Sequence, residues 1–405
     1  MIMIIKISEK QSISGKSIIL GLTAIFLVTK VIRTFSGVTD RAGGIWNIIQ
    51  ILFVAMGFIW AIKFFHSYKY ISPIVIMFSL CLFICFLAVP NIELSISGVF
   101  NYLMIPYAAC VLITFYVIGL NRELSQRSIL YYSFYAITAI VIWSMVRFYS
   151  GGPRASFIKL IDVADVYFSL GLLPLVLIYV EKKQRIIPMI LLTVALVLTG
   201  KRAGILALIV MAIIMYLGSE NKDNIKGSIQ KILILIAIGV LLYFVAGYLD
   251  EYFNLGFFER LNRMNEDGGS GRIDRWEIVI NSLKDSSVSS LLIGHGWGSV
   301  IELLEGHAHN DFLEILYEFG LFAEVLYISF YISLFKYLKL MSKYKYRYIT
   351  HYFASLVCSL FLSFFSFYYI KPTYITCGMI CYGFFFSDFE KWKHNVEETK
   401  NVDIQ

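Results

Sequence analysis

The stretch GHAHNDFLEILYEFG, residues 306–320, places two histidines, an asparagine and an aspartate directly before an apolar run. Histidine is the side chain best matched to proton transfer near neutral pH, so one of the two can act as general base or orienter of a substrate hydroxyl. Asp311, Glu314 and Glu318 follow at i, i+3 and i+7, one stripe on a helix. Acids in a first helical turn complement the dipole, which accounts for Asp311 and Glu314. Glu318 sits two turns in and is expected to face protein or a water-filled cavity. His307-Ala-His309-Asn310-Asp311 looks like an H-x-H-x-D metal run. Phe312 stands where such a site continues with another histidine, so no metal is expected.

Cations gather in three other places. In LTGKRAGILAL (198–208), Lys201 and Arg202 stand in a short link between two apolar segments, with Gly200 and Gly204 permitting a tight turn and close backbone approach. A guanidinium near a membrane matches phosphate oxygens bidentately, where Lys is a point charge. The plain alternative is snorkelling toward headgroups. In GSGRIDRWE (269–277), Arg272 and Arg275 lie one helical turn apart and can present two forks to one anion beside a helix N-terminus. The alternative there is a solvated basic face. The third place is RFYSGGPRASFIK (147–159), where Arg154 can contact an anionic sugar or lipid. Asp162 and Asp165 follow it and complement a dipole or pair with these cations.

The elements that must position these residues are membrane helices. The chain has 405 residues, 58% hydrophobic and 16% charged, against about 25% charged in a soluble domain. Mean hydropathy is +0.72. A helix needs about 20 apolar residues to cross a bilayer, and about twelve such spans are expected. They lie near 17–32, 45–65, 70–89, 99–120, 129–147, 160–180, 186–199, 203–218, 231–249, 312–335, 348–370 and 373–389. The first serves as an uncleaved signal anchor, and 186–199 with 203–218 form a tilted or re-entrant pair. The Lys/Arg bias, led by KYLKLMSKYKYR (336–347), puts both termini in the cytoplasm. The one long hydrophilic loop, 250–311, then falls outside. Within it Gly268-Gly269-Ser270-Gly271 is a breaker, followed by one short amphipathic helix with Ile273, Trp276, Ile280 and Leu283 on its apolar face and Trp276 as interfacial anchor. The six cysteines all fall in spans and read as apolar packing residues without disulfides. There is no repeat and no soluble catalytic domain, so any chemistry uses short loops and helix ends at the outer face.

Taken in order, LTGKRAGILAL, SGRIDRW, LLIGHGWGSV and HNDFLEILYEFGLF resemble the O-antigen ligase/polymerase superfamily. Arg202 to Leu206 fits its Arg-x3-Leu element, and His309 to Gly320 its His-x10-Gly element; His307 does not fit that spacing. Ser270-Gly271-Arg272 with Trp276 matches its SGR-x3-W-like start, and GHGWGS (294–299) its glycine-rich turn. The detailed resemblance covers 198–335, with Lys201 a departure where a small polar residue is common. It implies an all-α, GT-C-like integral membrane fold over 1–405. It also implies glycan transfer at the periplasmic face from an undecaprenyl-pyrophosphate donor.

On this resemblance the expected activity is oligosaccharide repeat-unit polymerisation for O-antigen or capsule, by a metal-independent inverting glycosyltransferase of the bacterial inner membrane that needs no cofactor. His309 activates the acceptor hydroxyl, Arg272 and Arg202 stabilise the pyrophosphate, and Lys201, Arg275, Arg154, Glu314 and Glu318 assist in substrate binding. The partners are undecaprenyl-pyrophosphate-linked oligosaccharide, membrane lipids, a chain-length regulator and a flippase; no nucleic acid is involved. A ligase that moves glycan onto lipid A–core shares the donor chemistry. A transporter or flippase is disfavoured by a long loop between spans nine and ten and by the absence of similarity between halves.

Overall fold

Near-continuous apolar runs leave a backbone only its own hydrogen bonds, and those among the described residues become helices. The computed structural model describes residues 40–67, 71–91, 102–121, 125–149, 165–181, 184–218, 268–366 and 372–402, with scattered positions between 240 and 259. Among them every regular element is helical. The bundle helices are α1 (Asp40–Ser67), α2 (Ser72–Ala88), α3 (Tyr107–Asn121), α4 (Ser125–Tyr149), α5 (Asp165–Tyr179), α6 (Ile186–Leu198) and α7 (Arg202–Leu217). Three short helices follow, α8 (Gly268–Lys284), α9 (Val288–Ile293) and α10 (Ser299–Leu304). The chain then returns to the bundle with α11 (Asp311–Lys343), α12 (Ile349–Phe365) and α13 (Pro372–Val402). The expected spans at 17–32 and most of 231–249 lie outside the described residues, as do Arg154 and Asp162.

α3 packs between α1 and α13, α5 against α4, α12 and α13, α7 against α6 and α12, and α11 against α2 and α12. One large core joins them, from Phe53 and Phe115 to Tyr327, Leu334 and Tyr382. The outer surface is apolar too: Ile62 and Phe86 are each 74% exposed, which is unfavourable in water and neutral in lipid. Among the described residues Asp311–Lys343 is both long and apolar enough to cross a membrane, and shorter apolar helices of 10–17 residues accompany it. The pair 186–199 and 203–218 forms a packed helical hairpin, α6 and α7.

Within the described residues 268–304 the structure differs from the expectation of one short helix. There are three, because six-residue helices such as α9 and α10 are too short to register as periodicity. α9 is fixed instead by Ser287, whose side chain accepts from Ser290 N–H at 3.1 Å. The glycine run read as a breaker begins α8, with Gly271 turning the chain at φ 70°. The inward face of α8 is Trp276, Val279 and Leu283, while Ile273 and Ile280 are 58% and 41% exposed. α8 touches its neighbours α10 and α11 along one narrow strip, which Val279 centres. Val279, Leu283, Val300, Ala308 and Tyr317 make a second, small core separate from that of the bundle.

α11 belongs to both. Gly320 inside it has φ 75°, ψ −176°, so the helix breaks between an arm at 311–319 and an arm at 321–343. The break frees two carbonyls, and the glycine-rich turn takes them: His295 N–H donates to Tyr317 O at 2.9 Å and Gly296 N–H to Glu318 O at 3.0 Å. A Cβ on Gly320 would overlap the Leu292 carbonyl and Gly294 N. The His295 ring stacks on Tyr317, centroids 4.2 Å apart.

Candidate active site

The loop between α10 and α11 is held from three sides. Arg275 Nη1 donates to His307 O at 2.7 Å, and Trp276 Nε1 donates to Ala308 O at 2.8 Å. Gly306 makes room for this, since a Cβ there would stand 2.8 Å from Arg275 Nη1. Asn310 accepts from Leu313 N–H at 3.2 Å and so caps α11. Glu314, fully buried, receives His309 N–H on one oxygen at 3.1 Å and faces His307 Nδ1 with the other at 3.3 Å. A single carboxylate thus fixes both histidines, with His309 in the left-handed region at φ 59°.

Four cations reach the same place from two directions. Lys201 is the N-cap and Arg202 the first residue of α7, delivered by the turn at Gly200. Arg272 and Arg275 come from the first turns of α8 after Gly271. Burial lowers the Arg272 guanidinium, and the nearby charge of Arg202 lowers it further. The His309 imidazole is pushed down to about 3, first by burial and then by Arg272, His307, Arg275 and Lys201. At neutral pH His309 is therefore uncharged and able to accept a proton. Like charges so gathered favour an anion of more than one charge, and paired guanidinium forks suit a pyrophosphate.

The sequence reading missed Tyr167. It is buried on α5, hydrogen-bonded to Ser366 and electrostatically coupled to Arg272, with Lys201 Nζ 5.9 Å from its ring centroid. A tyrosine in the first turn of an apolar helix carries no local mark of such a role.

Residues 187–328 match the family model for O-antigen ligase. That segment, about a third of the chain, is similar to the O-antigen ligase family, in keeping with the resemblance carried by its motifs. No curated protein matches it. The O-antigen ligase match runs from α6 through α7–α10 and past the Gly320 break. It therefore contains Lys201, Arg202, Arg272, Arg275, His309, Glu314 and Glu318. Proteins of the O-antigen ligase family are membrane proteins with glycosyltransferase-like activity.

The structure separates the acids of this segment. Glu314 holds the histidine loop. Glu318, 4% exposed, faces the N-terminus of α10, where the N–H groups of Gly298 and Val300 bond to it. It thereby fixes the glycine-rich turn and stands away from the histidines. Asp311 is fully buried, and its Oδ2 accepts from Tyr327 OH at 2.9 Å. Dipole complement alone therefore does not describe Asp311 or Glu314. Gly320, read as the end of a spacing, is where the helix must break for the glycine-rich turn to dock.

Proposed function

We propose that this protein is an oligosaccharide repeat-unit polymerase acting on undecaprenyl-pyrophosphate-linked glycan at the outer face of the inner membrane. The observation that carries the reading is the meeting of Lys201, Arg202, Arg272 and Arg275 around an uncharged His309. In this reading Arg272 and Arg202 grip the donor pyrophosphate, with Lys201 beside them. Arg275 contributes charge while clamping the histidine loop. His309 removes the proton of the acceptor hydroxyl as its oxygen attacks the anomeric carbon. The glycosidic C–O bond to phosphate breaks on the opposite face, so the anomeric centre inverts. Bound pyrophosphate offsets the four cations and raises the basicity of His309 only when donor is present. Negative charge developing on the leaving group is met by fixed arginines, so no metal ion is required in this scheme.

The acceptor decides between two readings, and the description of the matching family, O-antigen ligase, favours the second. Purified protein supplied with lipid-linked repeat units alone is expected to give a ladder of lengths. Transfer seen only after lipid A–core is added would replace the polymerase with a ligase. Cytoplasmic termini, a chain-length regulator and a flippase belong to the same proposal and are tested by tag accessibility and co-purification.

A further inference from the structure

At the end of α6 remote from Lys201 stand a guanidinium and an imidazole whose buried nitrogens have no hydrogen-bond partner among the described residues. Arg185 is the N-cap of α6, and His351 lies in the first turn of α12. Neither helix has a side chain capping its first N–H groups. Arg185 Nε and both ring nitrogens of His351 are buried without a hydrogen-bond partner. The charge of Arg185 acts on His351 directly, so the two are neighbours. Burial lowers the Arg185 guanidinium, and no carboxylate among the described residues offsets it. Thr350 Oγ1 donates to Gly218 O at 3.0 Å and brings the end of α7 alongside. Three buried nitrogens without partners, two of them donors when the imidazole is neutral, are unfavourable unless a ligand meets them, and the two uncapped N-termini add the field an anion prefers.

We propose that Arg185 and His351 form a binding site for a phosphate-class anion, at the opposite end of α6 from the transferase site. The source is either a phospholipid headgroup or free phosphate. Ile187, two residues on and 49% exposed, offers apolar surface to an acyl chain and favours the headgroup. The guanidinium fork takes two phosphate oxygens, and a ring nitrogen of His351 donates to a third.

The test uses the full chain, delipidated in neutral detergent. Short-chain phosphatidylglycerol and inorganic phosphate are titrated separately, with potassium chloride at matched ionic strength as control. Binding is read by calorimetry and by the unfolding midpoint. Arg185→Gln and His351→Gln are each expected to weaken binding at least about tenfold, with Arg185→Lys intermediate. Binding of the lipid alone identifies a headgroup site; binding of both ligands identifies a general phosphate site. No binding beyond the chloride control, or equal binding by wild type and both glutamine variants, overturns the proposal. If Arg185→Gln does not fold, His351→Gln carries the test. Either result leaves the transferase reading untouched, since that site uses other residues.

Discussion

The two arms of α11 are one helix in sequence and two kinds of structure in space. Residues 321–343 sit in the bundle, where Ala323, Phe330, Leu334 and Met341 are buried in a continuous apolar core. Residues 311–319 sit between that core, which Ile315 and Phe319 enter, and a second core of five buried hydrophobic residues that Tyr317 joins. That arm is fixed by directed bonds: Asn310 at its start, Glu314 to the histidine loop, Glu318 to α10, and two freed carbonyls to the glycine-rich turn. Apolar burial is strong but non-directional. Hydrogen bonds are individually modest, yet they fix angle and distance. The outer arm adds directed bonds to its apolar packing, as an element holding a base beside a charge cluster must. Tyr327 joins the arms, donating to Asp311 Oδ2 at 2.9 Å and meeting Ser363 Oγ at 2.8 Å.

The contrast breaks most severely at the chemistry itself. Arg272→Ala and His309→Ala are each expected to lower transfer by about a thousandfold or more, while unfolding midpoint and membrane yield stay near wild type. Quantified glycan ladders from membranes with matched protein levels decide it. Near-normal polymer from both variants would falsify the site assignment.

Next in size is the junction. Gly320→Ala must hold a side chain at φ 75° and overlap the Leu292 carbonyl. Strain of this kind costs about 1–3 kcal/mol before the overlap is counted. The arms are expected to realign, releasing the glycine-rich turn while the bundle survives. Hydrogen exchange should then rise in 288–319 and remain low in 321–341. A uniform rise would show that the two regions unfold as one.

The bundle was largely legible because a long apolar run dictates a helix whatever surrounds it, and helices stand at the expected segments from 45–65 to 348–370 among the described residues. The charged groups Lys201, Arg202, Arg272 and His309 stood out by type, with snorkelling and a solvated basic face as the ordinary alternatives for the cations. Partners were not. Glu318 looked anomalous until its acceptor role at α10 appeared, and α10 itself is too short for periodicity to signal. Tyr167 was hidden for the opposite reason: it lies where an aromatic residue is unremarkable. On α8, Val279 faces the small core with Trp276 and Leu283, while Ile273 and Ile280 of the apolar stripe stay exposed.

Electrostatic changes within the outer arm come third. Glu314→Gln keeps the shape but removes the charge that both histidines share, and kcat is expected to fall about ten- to hundredfold with little change in KM. The pH dependence of His309 gives an independent reading. Its imidazole stays neutral down to about 3, against 6.5 for a free histidine. The unfolded chain therefore takes up this proton at higher pH than the folded one, and stability is lost as pH falls from about 6.5 toward 3. Arg272→Gln removes the leading neighbouring charge, so the His309 titration followed by NMR should move upward. A titration that does not move would place Arg272 too far away to share an anion with it.

The smallest expected effect is the one that separates the regions most cleanly. Trp276→Phe keeps an aromatic ring beside Phe365 and loses the bond to Ala308 O, a change of about 1 kcal/mol. Leu334→Ala hollows the fully buried bundle core, a change of about 2–5 kcal/mol. If geometry rather than total stability governs the outer arm, the lesser lesion does the greater harm to catalysis. Trp276→Phe should lower kcat several-fold at an almost unchanged unfolding midpoint. Leu334→Ala should lower the midpoint while kcat, measured well below it, stays near wild type. The ranking of the two variants by kcat must therefore be the reverse of their ranking by stability, and agreement between the two rankings would mean that His309 is positioned by the bundle after all.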